Sequence, residues 1–267
     1  MRSYLSYFKL RFLTGLQYRE AAIAGVCTQI FFGLVFIMVY LAFYESDGSN
    51  APMSLSQVTS YLWLNQIFFS LVYMLYKDND IFTIIKNGNI SYELCRPQKL
   101  YWMWFAKIIS QRLADVCLRS LPAILVAVLL PSPFGIGFPK DFLTFIVFLI
   151  TLFISVILMT SIITFYHVLA MFTLDDRGVT VIVLSVADIL SGVNVPIPFF
   201  PQFLQTISKF LPFQYVSDLP FRIYTSHIPI NEAWIGIVVQ VIWVVILIFL
   251  GYILSKKALK KAVIQGG

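Results

Sequence analysis

This sequence has few charged residues. Only 12% of its 267 residues are Asp, Glu, Lys or Arg, about half the share that is usual in soluble domains, whereas 59% are hydrophobic. The apolar residues form blocks long enough to cross a bilayer, which takes roughly 20 residues each. The composition therefore excludes a soluble protein and predicts an integral membrane protein, with a single transmembrane domain over residues 1–267.

Cysteine and histidine are also scarce, which argues against disulfides and metal sites. The three cysteines, Cys27, Cys95 and Cys117, are an odd number without close pairing, so we expect free thiols. The two histidines, His167 and His227, lie far apart in the sequence and on opposite predicted sides of the membrane. We therefore expect no metal site and no catalytic residues in this chain.

The sequence also lacks the GxxxxGK[ST] motif of a phosphate-binding loop. The chain is therefore predicted to bind no cofactor itself, and any ATP and Mg²⁺ that drive it are expected on a partner ATPase. Its net charge of +6 does not indicate a nucleic-acid partner, because the basic residues flank apolar spans, as the positive-inside rule expects of a membrane protein.

Six apolar stretches predict an all-α fold with six transmembrane helices. They cover residues 21–44, 57–76, 107–130, 142–172, 179–196 and 233–254. Of the 19 Lys and Arg residues, only Lys140, Lys209 and Arg222 fall on one predicted side of the membrane. The positive-inside rule then predicts a multi-pass protein of the cell (inner or plasma) membrane, with both termini in the cytoplasm.

The segment before the first span, residues 1–20, has the pattern of an amphipathic helix. Its large apolar side chains recur at helical spacing and lie close to basic residues that can reach the headgroups. These features predict a helix lying in the cytoplasmic interface of the membrane, and the alternative is an ordinary basic flank. The apolar positions are Leu5, Phe8, Phe12 and Leu16.

Residues 77–106 form the only sizeable cytoplasmic connection, and they predict a short rigid helix. Asn87-Gly88-Asn89 is a strong turn signal. Ser91 is expected to cap, in part, a helix over residues 92–95 that must stop before Pro97. A helix held between two spans in this way can pass force to a soluble partner. The alternative is an ordinary loop between spans.

Prolines cluster at the predicted outer end of the fifth span, where residues 197–225 predict a re-entrant element. Gly192 and Pro196 are expected to end the fifth helix, and Pro201 and Pro212 to delimit a helix over about 202–211. Backbone groups freed by prolines are tolerated where protein, water or the interface can pair them. The element is interpreted as an outer gate, and the alternative is a static plug. The predicted gate residues are Ser191, Gly192, Pro196, Phe200, Pro201, Pro212 and Phe213.

Polar side chains inside spans are the candidate transport residues. Arg112, Asp115 and Arg119 are spaced to share one helix face, and this pattern favours a structural ion pair over a proton relay. Five further residues either line a transport pathway or form hydrogen bonds between helices: Gln29, Asn65, Gln66, Asp188 and Asn194.

The paired acids Asp175 and Asp176 allow two interpretations. An intramembrane transferase could hold a metal diphosphate with such a pair, but no second acidic motif accompanies it. The favoured interpretation is a tight cytoplasmic turn, with the acids at the N-terminus of the fifth helix, where the helix dipole stabilises negative charge.

Two of these stretches resemble a known family. The segment 84–97 resembles the connection between the second and third spans of type-2 ABC exporter permeases, in which the family pattern matches Gly88, Ile90, Leu94, Arg96 and Pro97. The proline cluster resembles the fifth-span signature of the same family over residues 190–224. Together with the six spans, the resemblance covers nearly the whole chain. It is greatest to the short permeases that lack a large external domain and are often encoded as pairs.

The resemblance implies that this chain is the permease subunit of an ATP-driven exporter. Two permease chains, more often different than identical, would pack side by side above two ABC ATPase subunits. Their alternating access would move an amphipathic or lipophilic drug, lipid or peptide out of the cytoplasm. The coupling residues implied are Gly88, Ile90, Ser91, Glu93, Leu94, Arg96 and Pro97. The very short first external loop does not support gating by external domains, as in the sterol-exporting relatives.

Two alternatives from other classes remain open at this point. A stand-alone secondary transporter would use Asp188 or Asp115 as an ion-coupling site, and inverted repeats, which favour that class, are not visible in the sequence. An intramembrane transferase would use Asp175 and Asp176 and would lose turnover if both were replaced by alanine.

Overall fold

The computed structural model of the chain describes residues 2–73, 78–95, 97–173 and 184–261. Every long element in these ranges is a helix, and no strand occurs in them. The helices are α1 (Arg2–Gly15), α2 (Arg19–Asp47), α3 (Leu55–Ile67), α4 (Phe69–Val72), α5 (Asn79–Lys86), α6 (Ile90–Leu94), α7 (Leu100–Leu129), α8 (Phe142–Thr173), α9 (described over 184–190), α10 (Gln202–Phe210), α11 (Asp218–Tyr224) and α12 (Ile230–Lys261).

Within the described ranges, three helices are long and apolar enough to cross a membrane. They are residues 19–46 of α2, the whole of α8, and residues 230–260 of α12. Helix α7 has a similar length, 30 residues, but it carries four charged side chains, Lys107, Arg112, Asp115 and Arg119. The predicted all-helical fold is confirmed with three candidate spans, and the count of six spans stays a prediction.

The second predicted span is interrupted in the structure. Helix α3 begins with a capping box in which Ser54 Oγ accepts a hydrogen bond from the Gln57 backbone N–H, and the Gln57 side chain accepts one from the Ser54 N–H. The α3 helix ends at Phe68, which has φ −102° and ψ 17°, and the short α4 follows. Within the described part of this predicted span, residues 57–73, the chain therefore forms two helical segments instead of one.

Helix α8 lies at the centre of the bundle and contacts α12, α11, α7, α4 and α5. Its buried hydroxyl residues include Thr151, Thr160 and Thr164, each of which donates to the backbone carbonyl four residues earlier. Small side chains that satisfy themselves in this way let neighbouring helices approach closely in an apolar environment. Helix α8 can therefore connect the two ends of the molecule.

A buried glutamine joins α12 to α8 and to the 3₁₀ turn between α10 and α11. Gln240 Nε2 lies 2.8 Å from the Tyr215 carbonyl oxygen, 2.9 Å from Ser155 Oγ and 3.1 Å from the Thr151 carbonyl oxygen. Its two N–H groups are shared among these three acceptors. Gln240 therefore fixes the segment before α11 against the two longest helices of the bundle.

Helix α1 packs along α7. A Cβ atom on Gly15 would lie only 2.7 Å from Ala114 Cβ, so the two helices come close at this point. At the other end of α1, the Tyr4 hydroxyl accepts a hydrogen bond of 2.9 Å from the Lys99 backbone N–H. The N-terminal segment is thus helical, as its spacing predicts, and its place in the membrane interface stays a prediction.

Candidate functional site

The connection before α7 contains two helices where the sequence predicted one. Asp78 caps α5 by accepting a hydrogen bond of 3.0 Å from the Ile81 backbone N–H. Ile81, Phe82 and Ile85 then bury one face of α5. Helix α5 was not predicted from the sequence, although an Asp before apolar residues at helical spacing is a recognisable start signal.

The short helix after the turn differs from its predicted bounds. Gly88 has φ +68°, a left-handed conformation that glycine adopts without strain. The chain then buries Ile90, which is 6% exposed, and α6 begins at that residue. The predicted start at residue 92 with Ser91 as its cap was wrong, because Ser91 lies inside the helix.

The predicted coupling residues fall on both sides of α6. Ile90 faces the core, whereas Leu94 is 41% exposed and Pro97 is exposed. Glu93 lines a cavity of about 320 Å³ with Asp80 and Lys107. Arg96 lies outside the described residues, as do Asp175 and Asp176. An exposed apolar residue at the end of a short rigid helix can dock into a partner.

A buried ion pair ties this connection to α7. Lys107 Nζ lies 2.8 Å from Asp78 Oδ1 and 2.8 Å from Asp80 Oδ2. The Asp78 side chain is 3% exposed and that of Lys107 is 4% exposed, whereas that of Asp80 is 67% exposed. The hydrogen bond from Lys107 lowers the pKa of Asp80. We call Asp78, Asp80 and Lys107 the charge anchor.

Aromatic packing ties the same connection to α8. The Phe82 ring lies 4.8 Å from the ring of His167 and 6.0 Å from that of Tyr166. The His167 ring is fully buried, and its Nδ1 lies 2.7 Å from the Ile163 carbonyl oxygen. His167 therefore forms part of the packing beneath α5.

The predicted pairing of Asp115 with an arginine is looser than a direct ion pair, because Arg112 and Arg119 act on its charge from a distance. Within the described part of the chain, no ion pair joins Asp115 to Arg112 or Arg119. Arg112 reaches away from α7 and donates to the carbonyls of Ser70 in α4 and of Tyr73, which follows α4. The Arg119 guanidinium packs where a Cβ on Gly25 of α2 would lie, 2.8 Å from Nη1. Helical spacing alone could not reveal these partners.

At the other end of the bundle, the predicted gate residues form a series of short turns. Gly192 has φ +83° and leads from α9 to a 3₁₀ turn, Ile197–Phe199, which follows Pro196. Helix α10 occupies Gln202–Phe210, between Pro201 and Pro212. Phe200 follows the first 3₁₀ turn and Phe213 begins the next one, Phe213–Tyr215. The chain thus changes direction several times within about thirty residues.

A buried carboxylate holds these turns together. Asp218, which is 1% exposed, accepts hydrogen bonds from the Ile197 backbone N–H at 3.2 Å and from Arg222 at 3.1 Å. Burial raises the pKa of Asp218, and the Arg222 guanidinium opposes that shift. Asp218 was not among the predicted site residues, although a charged residue between apolar stretches indicates a functional residue or an ion pair.

The Tyr61 hydroxyl of α3 reaches the same centre. It lies 2.8 Å from the Gly192 carbonyl oxygen and 3.1 Å from Asp218 Oδ1. A Cβ on Gly192 would lie 2.8 Å from that hydroxyl and 3.0 Å from Asp218 Cβ, so only glycine fits here. Ser217 adds a hydrogen bond of 2.6 Å to the Ser191 carbonyl oxygen. We call Tyr61, Gly192 and Asp218 the outer hub.

The candidate pathway residues differ in their packing and in their hydrogen bonds. Asp188 and Asn194 are brought together, with Asn194 Nδ2 2.9 Å from Asp188 Oδ2. Gln66 packs against α2, where a Cβ on Gly33 would lie 3.1 Å from Gln66 Cγ. The side chains of Gln29 and Asn65 are buried, and their amide nitrogen and oxygen atoms make no hydrogen bond in the structure of the described residues.

Replacing Asn65 with leucine is expected to stabilise the protein and impair its transport. A buried amide without partners costs about 1–3 kcal/mol of stability, which an apolar side chain of similar size recovers. The melting temperature in detergent should therefore rise, while the transport rate in vesicles should fall. A variant that is more stable and transports normally would remove Asn65 from the pathway and leave it a structural residue.

One comparison with known proteins decides the family. The family model described as ABC-2 family transporter protein matches residues 27–266, which is nearly the whole chain. The chain belongs to the ABC-2 transporter family. No curated protein and no solved structure matches it. The resemblance found in the sequence is confirmed, and this ABC-2 protein is a membrane transport component that works with ABC ATPase subunits.

Both groups of site residues lie inside the region that the family match covers. The charge anchor and α6 are at one end of the bundle, and the outer hub with α10 is at the other. In this ABC-2 permease, helices α7, α8 and α12 contact one another and run between the two ends.

Proposed function

We propose that this chain is the permease subunit of an ATP-driven exporter, in which two permease chains sit above two ABC ATPase subunits. The heterodimer is favoured and the homodimer is the alternative. ATP and Mg²⁺ would bind the ATPases, and six spans would place both termini in the cytoplasm. The observation that carries the proposal is the family match over residues 27–266, together with the exposed tip of α6 and the buried attachment of the preceding helix α5 to α7.

Force from the ATPases would enter at α6. A groove on an ATPase would hold the exposed tip that includes Leu94 and Pro97. Because Gly88 makes a tight turn, α6 and α5 would move together. The charge anchor would then pass that motion to α7, since the Lys107–Asp78 pair is buried and a buried pair resists separation.

The motion would travel onwards along α8. Phe82 contacts His167 and Tyr166 on that helix, and α8 contacts α12 and α11. Gln240 bonds to Ser155 of α8 and to the Tyr215 carbonyl, just before α11. These contacts support a continuous chain of packed groups from the cytoplasmic connection to the outer hub.

The outer hub would act as a gate. Asp218, Tyr61 and the Gly192 turn are joined by a few hydrogen bonds, and these would close the pathway and be exchanged at modest cost when helices shift. The apolar faces of the bundle and the short outer loops suit an amphipathic or lipophilic cargo that leaves the cytoplasm. A static plug is the alternative for the same residues.

The coupling role is tested by the double substitution Arg96→Ala/Pro97→Ala. We expect the chain to insert into the membrane as before, while retention of the co-expressed ATPase and ATP-driven export both fall by more than about tenfold, as for loss of a coupling interface. The matched control is Pro139→Ala/Lys140→Ala, which replaces an adjacent proline and basic residue in the predicted loop between the third and fourth spans. ATP-driven export at the normal rate in the Arg96→Ala/Pro97→Ala variant would remove α6 from the coupling role.

A further inference from the structure

Two lysines converge on one tyrosine where α7 begins and α12 ends. Lys256 Nζ lies 4.4 Å from the centre of the Tyr252 ring, and Lys99 Nζ lies 5.4 Å from it. Both lysines are exposed. Cations over an aromatic ring are attracted by its negative face, but the ring carries no net charge to neutralise them. A hydrogen bond to the Tyr252 phenol raises the pKa of Lys99.

These two positive charges have no anionic partner in the described part of the chain. No carboxylate there forms an ion pair with Lys99 or Lys256. Two ammonium groups beside one phenol repel each other in the absence of an anion. The arrangement therefore suits a ligand that brings negative charge and can also accept hydrogen bonds from both lysines.

An apolar groove between α1 and α7 begins within one helical turn of Lys99, at Tyr4 and Trp102. Its volume is about 510 Å³. Leu5 and Phe8 form one wall, and Trp102, Phe105 and Ile109, which share one face of α7, form the other. Tyr4 also lines the groove, and its hydroxyl accepts the hydrogen bond from the Lys99 backbone N–H.

We propose that the lysine pair and this groove together bind one anionic phospholipid. The phosphate would lie between Lys99 and Lys256, and an acyl chain would fill the groove between α1 and α7. Each part of such a lipid matches one part of the site. The phosphate matches two lysines that have no counter-ion in the described residues, and the acyl chain matches the carbon-lined groove. A free phosphate would use only the first part, and an uncharged apolar molecule only the second.

The site is distinct from the proposed transport pathway. It lies at the junction of α1, α7 and α12, whereas the candidate pathway residues lie on α2, α3 and the α9 region. Lys99 follows Pro97 by two residues, so a lipid bound here would hold the chain immediately after α6. A basic site of this kind gains affinity from each lysine near an anionic headgroup.

The test measures lipid binding to the purified full chain by native mass spectrometry. Dioleoyl phosphatidylglycerol is added to the detergent-solubilised protein, with dioleoyl phosphatidylethanolamine in parallel. We expect phosphatidylglycerol to bind in preference, and Lys99→Gln/Lys256→Gln to weaken it about 30-fold. The control Lys86→Gln/Lys257→Gln removes the same charge from exposed positions outside the site and should change affinity less than about twofold.

A second variant and a competitor separate the lipid from other anions. Ala106 lines the groove, and Ala106→Phe should fill it and weaken phosphatidylglycerol binding while leaving both lysines in place. Inorganic phosphate should not displace the lipid. Displacement by inorganic phosphate, or normal lipid binding in Ala106→Phe, would overturn the proposal in favour of a phosphate site. Equal loss of phosphatidylglycerol in the control variant would overturn it in favour of unspecific charge attraction.

Discussion

Replacing Lys107 with methionine is expected to lower the free energy of opening of α5 by about 3–5 kcal/mol, because it leaves a buried carboxylate without its cation. The Asp78 side chain is only 3% exposed, so water cannot take the place of the ammonium group. Hydrogen exchange of the α5 backbone amides, residues 79–86, measures this loss directly. ATP-driven export should fall with it, because α5 would no longer move together with α7.

Two further variants show whether the loss comes from the unpaired buried charge of Asp78. Asp80→Asn removes the other carboxylate of the charge anchor, which is 67% exposed, and should cost less than about 1 kcal/mol. Asp78→Asn/Lys107→Met removes both buried charges while Asn can still cap α5, and should recover most of the loss. If the α5 amides exchanged as slowly in the Lys107→Met variant as in the unaltered protein, the charge anchor would have no role in coupling.

A reversible cross-link between α2 and the 3₁₀ turn Ile197–Phe199 is expected to stop export. Tyr40 and Phe199 are suitable positions, because their ring centres lie 5.4 Å apart. The variant Tyr40→Cys/Phe199→Cys is built in a chain whose three natural cysteines, all exposed, are replaced by serine. A short bifunctional thiol reagent should reduce ATP-driven export by more than about tenfold, since a closed gate cannot release substrate.

Reduction of the cross-link should restore export, which separates blocked motion from damage to the protein. The single variants Tyr40→Cys and Phe199→Cys, treated with the same reagent, should export normally. Assembly with the ATPase should be unchanged in every sample. Export at the full rate in the cross-linked protein would contradict the gate and favour the static plug.

The sequence predicts best where local chemistry decides the structure. Pro201 and Pro212 bracket α10 because proline is tolerated at a helix start and not in its interior. Gly88 makes the turn before α6 because glycine adopts positive φ freely. These features depend on a few neighbouring residues, and reasoning from the sequence reaches them without knowledge of the rest of the fold.

The partners of polar residues could not be found in that way. Asp115 shares a helix face with Arg112, but Arg112 instead donates to carbonyls near α4, which helical spacing does not include. The Lys107–Asp78 pair joins residues 29 positions apart, and Tyr61 and Asp218 lie 157 positions apart. Gln240 was recognisable as an amide within an apolar stretch, but its three acceptors were not.

The central claim is that this chain moves substrate only when a separate ATPase drives it. The direct measurement is ATP hydrolysis and substrate movement in proteoliposomes that contain the purified chain, with and without its partner ABC ATPase. We expect the chain alone to hydrolyse no ATP and move no substrate, and the complex to do both when ATP is present. Transport by the chain alone under an ion gradient would contradict the claim.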